Sequence, residues 1–138
     1  MSDKKKATCL APSAIVRTCR NCFAAMHPRS RAAGHAQLIS EGIALIAPTN
    51  EGAPKLIDLC RSKYPRFDQE ISTHIPASVR EQVRLLERAK GFASFQELYL
   101  EAMLASLIAR GFLTAGLEAA AGDAGLPREP AEGRRRAA

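Results

Sequence analysis

The chain has 138 residues, 46% of them hydrophobic, which is enough apolar material for one packed domain or two very small ones. Aromatic residues make up only 5% and Trp is absent, so aliphatic side chains must build the core, which suits helices better than a β-sandwich. The net charge of +6 is carried by residues 1–69, where 11 Lys and Arg stand against 5 Asp and Glu. A basic chain favours polyanionic partners, nucleic acid before acidic lipid headgroups, although the same charge can serve solubility alone.

The sequence of the first half predicts a basic arm over residues 1–4 and then a strand–helix–helix unit over residues 5–47. Its extended stretch carries Thr and Cys and ends at Pro12, after which an amphipathic helix follows. The stretch "GHAQLISEGIALIA" predicts a second helix after a loop. The first half is therefore expected to be mainly helical.

The four cysteines are too few to form a disulfide scaffold in a chain of this size, and reduced thiols in a cytoplasmic protein are expected. The segment "CRNC" is half a zinc site by its spacing, and His27 or Cys9 could complete it. However, Cys19 and Cys22 fall on one helical face with Ile15, and free cysteine is commonly buried. Core packing is the prediction, with a metal as the alternative.

Residues 48–68 predict a linker. It begins with the loop-like stretch "PTNEG", and a short helix then ends before Pro65 because the residue before a proline disfavours helical backbone.

The second half, residues 69–113, predicts a strand, a helix, a tight turn and a longer helix. The strand precedes Pro76, and the first helix ends at Gly91, where glycine adopts left-handed backbone at low cost. Ser94 begins the next helix as its N-cap, with Glu97 three residues on, and Gly111 closes that helix. The Ala-, Gly- and Pro-rich stretch over residues 114–138 predicts a disordered tail.

The two halves predict an internal repeat. Pro12 falls on Pro76 at an offset of 64 residues, which aligns the apolar positions of the two proline-led helices. For the later helices we expect the offset to fall to 60, with Leu38 on Leu98 and Glu41 on Glu101, so that about four extra residues lie in the first half's turn. Chance similarity between two amphipathic helix pairs is the alternative.

The stretches "ISTHIP" and "GFASFQELYLEAM" resemble the ribbon-helix-helix family of DNA-binding proteins, and the two repeats together cover about two-thirds of the chain. The resemblance implies a mainly α fold: two short antiparallel strands, four helices and the linker helix, as a tandem ribbon-helix-helix. It also implies that residues 71–75 pair with residues 7–11 in one ribbon, which enters the major groove of double-stranded DNA. Four helices beneath the ribbon would supply the core that an isolated two-stranded ribbon lacks.

Strand alternation then predicts which side chains meet the bases. With Ile71 and Ile75 inward, Glu70 faces outward, and so do the five residues for which we expect base contacts: Lys6, Thr8, Leu10, Ser72 and His74. Leu10 is sensitive to register, since a slip of one residue would bury it.

The resemblance also implies that the start of each second helix clamps a DNA phosphate, because free N–H groups there attract anions. In the second repeat these positions are Ser94, Phe95 and Gln96. In the first repeat we expect Gly34 and His35 at the helix start, and Arg29 and Arg31 just before it to add charge.

The expected protein is not an enzyme and needs no metal or cofactor, since no nucleophile, acid pair or phosphate-binding glycine loop stands out. It is expected to be a monomeric pseudo-dimer without a membrane partner, with scope for higher assembly on DNA. The resemblance implies a transcriptional repressor or an accessory factor in plasmid transfer or partition, and unequal repeats favour an asymmetric DNA site. The alternative is an antitoxin-like or adaptor module that homodimerises through the second repeat and holds a protein partner through residues 48–68.

Overall fold

The computed structural model describes residues 4–48, 55–92 and 94–120. Within these residues the protein is mainly α, with five helices and one two-stranded antiparallel sheet, which confirms the predicted class. In chain order the elements are β1 (Lys4–Ala11), α1 (Ser13–Met26), α2 (Arg31–Ile46), α3 (Leu56–Lys63), β2 (Gln69–Pro76), α4 (Ala77–Lys90) and α5 (Phe95–Ala109).

The two strands pair with each other within the chain, and the pair is called the ribbon below. Thr8 lies opposite Ser72 and Cys9 opposite Ile71, so residues 71–75 face residues 5–9, two residues earlier than the predicted segment 7–11. Because a shift of two residues keeps every side chain on its face, the predicted inward and outward assignments are unchanged. Ile71 and Ile75 are 7% and 0% exposed and pack inward, as the alternation predicts.

The first helix ends and the second helix begins at equivalent positions in the two halves. Helices α1 and α4 both have 14 residues, and their C-cap residues, His27 with φ of 52° and Gly91 with φ of 72°, are both left-handed. Ser30 and Ser94 then cap α2 and α5, each accepting a backbone N–H three residues on, at 3.1 and 3.3 Å. Each pair differs by 64 residues.

The predicted fall of the offset to 60 is therefore wrong, and the first half has no extra residues in its turn. Leu38 corresponds to Ala102 and not to Leu98, and the position corresponding to Glu41 is residue 105 and not Glu101. In the first half His27 holds the left-handed position that Gly91 holds in the second, so no glycine marks the end of α1.

Helices α2 and α5 cross closely at the centre of the fold. A Cβ placed on Gly42 would lie 2.0 Å from the carbonyl oxygen of Ala102, so only glycine fits this crossing. At the equivalent contact, the hydroxyl of Ser106 donates to the carbonyl of Leu38. Small side chains on both helices thus set their separation.

The strands pack across the halves. Strand β1 lies against α5 and strand β2 lies against α2, so each strand covers the second helix of the other half. The two halves therefore share one core, and neither half alone both pairs and covers its strand.

The predicted linker helix is confirmed as α3, and Glu101 fixes its start. The two carboxylate oxygens of Glu101 accept the backbone N–H groups of Leu56 and Ile57, each at 2.8 Å. Glu101 is only 5% exposed, and this burial raises the pKa of its carboxyl although the two N–H groups act to lower it. A buried acid from α5 thus takes the role of a cap that Lys55 does not provide.

The chain continues to pack after α5, so the prediction of a disordered tail is wrong for residues 114–120. Leu117 is fully buried, and its carbonyl accepts the hydroxyl of Tyr64 at 2.8 Å. Lys63 pairs with Glu118 at 3.1 Å. The rest of the predicted tail, residues 121–138, and residues 1–3 of the predicted arm lie outside the described residues; Lys4 belongs to β1.

Cys19 and Cys22 are buried in the core, which confirms the packing prediction for both. Cys9 and Cys60 are buried as well, and burial raises the pKa of the Cys9 thiol to about 12. Among the described residues, His, Cys, Asp and Glu side chains do not gather in groups of three that would suit a metal ion.

Candidate functional site

Three cross-strand pairs on the outward face of the ribbon consist of side chains that the structure describes. Lys6 lies opposite His74, Thr8 opposite Ser72, and Leu10 opposite Glu70. Leu10 is 53% exposed, so the register places it outward and not in the core. The ribbon therefore brings together on one face the five residues for which base contacts were predicted.

The centre of the ribbon coincides with the centre of the repeat. Thr8 and Ser72 are equivalent in the two halves, and they also face each other, with their hydroxyl oxygens 3.2 Å apart. A pseudo-twofold axis therefore passes between them. By the same axis Lys6 is equivalent to Glu70, and Leu10 to His74.

Arg80 joins the ribbon to the start of α5. Its guanidinium donates to the carbonyl of Lys6 at 2.9 Å and lies over the ring of Phe95, 4.5 Å from the centroid. Arg80 was not among the predicted site residues. Its position one turn after the strand was the available signal that it can reach back to the ribbon.

The start of α5 lies beside β1. Ser94 is half-buried as the N-cap, Phe95 is half-buried against Arg80, and Gln96 is exposed. A cleft of about 700 Å³ runs between this helix start, α3 and the edge of β1 at Thr8 and Leu10. The first turn also carries Glu97, whose charge is offset by Arg61 at 2.9 Å.

The start of α2 lies at Ser30 and Arg31 and not at Gly34 and His35, so the predicted phosphate position in the first half is corrected. Arg29, Ser30 and Arg31 are all exposed, and the first turn of α2 contains no acidic residue. Ser30 was missed although it stands 64 residues before Ser94. A small cavity of about 80 Å³ separates Arg31 from the adjacent strand β2.

His35 belongs to the core and has no surface from which to contact a phosphate. It is 2% exposed, its ring lies 4.7 Å from that of Phe23, and its Nδ1 is 3.3 Å from the hydroxyl of Tyr99. Burial, helped by the charge of Arg31, lowers the pKa of His35 to about 4, so the ring is neutral at pH 7. Tyr99 is the equivalent of His35 in the second half, so this contact also lies on the pseudo-twofold axis.

The arrangement is thus a strip of outward side chains, polar except for Leu10, bordered by two helix starts. Comparison with protein families, curated proteins and solved structures finds no match to the chain. The helices within residues 4–48, 55–92 and 94–120 are all too short or too polar to span a membrane.

Proposed function

We propose that this protein is a single-chain, tandem ribbon-helix-helix protein that binds double-stranded DNA with sequence preference. The observation that carries the proposal is the intrachain ribbon, whose inner face packs on the helices while its outer face carries mostly polar side chains. The major groove of B-DNA is about 12 Å wide and admits a two-stranded ribbon.

The outer face has the chemistry needed to read base edges. Lys6 can donate to guanine O6 and N7, and His74 can donate a ring N–H to the same acceptors. Thr8 and Ser72 can donate or accept at the centre of the site. Leu10 can contact a thymine methyl group, and Glu70 can accept from cytosine N4.

The helix starts supply the contacts that position the DNA backbone. Free N–H groups after Ser30 and Ser94 attract phosphate oxygens, and the helix dipoles add to this attraction. Arg29 and Arg31 add charge at α2, and Gln96 adds an amide at α5. These contacts set orientation and affinity, whereas the ribbon sets sequence preference.

The proposed setting is the cytoplasm, where the protein acts as a transcriptional repressor or as an accessory factor in plasmid transfer or partition. The pairing of β1 with β2 within one chain supports a monomer, since it uses the strand that a homodimer of second halves would need. Sedimentation at micromolar concentration distinguishes the monomeric DNA-binding protein from the homodimeric protein-interaction module. A mass of one chain is expected, and an obligate dimer would favour the module.

The function is tested by selection of bound sequences from a random duplex library, followed by binding measured at several salt concentrations. An enriched motif is expected, with Lys6→Ala and His74→Ala each relaxing it at one position. Arg31→Ala should weaken binding to all sequences alike and reduce the slope of log K against log salt by roughly 1.

Arg88→Ala is the matched control, because Arg88 is exposed and lies about 16 Å along α4 from its start, given 1.5 Å per residue. It should lower the net charge without changing the motif. Failure of the wild-type protein to enrich any motif, or binding that is indifferent to salt, would reject the proposal.

A further inference from the structure

The pseudo-twofold axis sets chemically opposite residues at equivalent positions of the ribbon. The axis passes between Thr8 and Ser72 and relates Lys6 to Glu70, which is a basic side chain to an acidic one. It also relates Leu10 to His74, an apolar side chain to a polar ring. All four of these outer side chains are exposed, so none is accounted for by packing in the core.

A palindromic site would offer the same base edge to both members of an equivalent pair. Lys6 needs hydrogen-bond acceptors, which guanine presents as O6 and N7, whereas Glu70 needs a donor such as cytosine N4. The base that suits Lys6 best is therefore not the base that suits Glu70 best. These ribbon positions therefore favour an asymmetric site, although the helix ends and caps of the two halves correspond.

The strand register places two of these residues at each end of the ribbon. Lys6 faces His74 across the strands, and Arg80 bonds to the carbonyl of Lys6, so this end is cationic. Leu10 faces Glu70 at the other end, where Asp68 is also exposed. The outward side chains of the ribbon itself thus differ between the two ends in both charge and polarity.

We infer that the ribbon reads DNA with a fixed polarity: Lys6 and His74 read a guanine-containing half-site, and Leu10 and Glu70 read a half-site that presents a thymine methyl and cytosine N4. This inference rests on the proposed DNA binding and deepens it. The protein therefore binds each DNA site in one orientation only.

The test replaces one end of the ribbon with the other. In the double variant Leu10→His with Glu70→Lys, both ends carry a lysine opposite a histidine. Selection from a random duplex library should yield an asymmetric motif for the wild type and a palindrome with the guanine half repeated for the variant. The wild type should bind the asymmetric site roughly 5- to 150-fold more tightly than the palindrome. The variant should prefer the palindrome by a similar factor.

The reciprocal variant Lys6→Glu with His74→Leu should repeat the other half-site, and it serves if the first variant does not fold. Thermal unfolding followed by circular dichroism checks folding, which should be unchanged because all four positions are exposed. A wild-type motif that is palindromic, or a double variant whose motif keeps its asymmetry, would overturn the inference and leave DNA binding intact. A wild-type protein that enriches nothing would instead reject the proposed function itself.

Discussion

Acidification should destabilise this protein through His35, which is buried without charge. The neutral ring fits between Phe23 and Tyr99, whereas a charged ring would be desolvated and would face the charge of Arg31. The pKa in the folded protein is about 4, against an ordinary 6.5. Between these values the unfolded chain binds more protons, so the stability contributed above pH 6.5 is lost as pH falls toward 4.

The size of the effect follows from the same two values. Each unit of pKa difference is worth about 1.4 kcal/mol, so the full effect of the fall from 6.5 to about 4 is about 3 kcal/mol of unfolding free energy. About 2 kcal/mol of it should be lost between pH 7.5 and pH 5.

Urea unfolding followed by circular dichroism at pH 7.5 and pH 5 measures this loss. Acidification affects Glu101 in the opposite direction to His35. The pKa of Glu101 is raised in the folded protein, so its contribution to stability falls as pH rises above the ordinary value for a carboxyl. Glu41 has a lowered pKa, so its contribution is lost only at lower pH. The informative quantity is therefore the difference between the wild type and His35→Gln.

The variant His35→Gln should be about 2 kcal/mol less sensitive to the change from pH 7.5 to pH 5 than the wild type. His74→Gln is the matched control, since His74 is exposed, and it should leave the pH dependence unchanged. The reasoning is refuted if His35→Gln loses as much stability as the wild type, or if the His35 ring titrates near 6.5 by NMR.

Gly42→Ala should lower the unfolding free energy by about 1–3 kcal/mol, because a Cβ at this position meets the Ala102 carbonyl at 2.0 Å and the gain in helix propensity is smaller. Ser40→Ala, at an exposed position of the same helix, should be within about 0.5 kcal/mol of wild type in urea unfolding, and equal values for the two variants would contradict the close crossing. Glu101→Ala should cost about 1–3 kcal/mol and speed hydrogen exchange at the first amides of α3, which lose their acceptor; amides that stay protected would show that the carboxylate is dispensable. Cys22→Ala should cost about 1–2 kcal/mol through a small cavity, and chelators should leave the melting temperature of the wild type unchanged; stoichiometric zinc whose removal unfolds the helices would disprove core packing.

The elements of this protein could be predicted from short stretches of its sequence. Pro12 and Pro76 mark where each strand gives way to a helix, and Gly91 and Ser94 mark a helix end and the next helix start. Period-two alternation placed the ribbon residues on the correct faces. These features are local: each depends on backbone geometry within a few residues, so the sequence is enough to predict them.

The turn before α2 shows where local signals fail. The left-handed position that Gly91 holds in the second half is occupied by His27 in the first, and the predicted helix start was Gly34 instead of Arg31. Left-handed backbone costs a histidine only a modest free energy, which packing of the neighbouring helices can offset. The consequence was a phosphate contact assigned to a core residue.

Only the tertiary structure decided which partners the charged and buried side chains find. Glu101 was read as an equivalent of Glu41, yet one caps α3 and the other binds Arg110 through two hydrogen bonds of 2.9 and 2.7 Å. Likewise, Leu117 lies in a stretch whose composition favours disorder, and it is buried because the chain returns to Tyr64. A buried polar or apolar group is stabilised by whatever lies beside it in space, and these partners are 44 to 69 residues away along the chain, beyond the reach of periodicity and spacing.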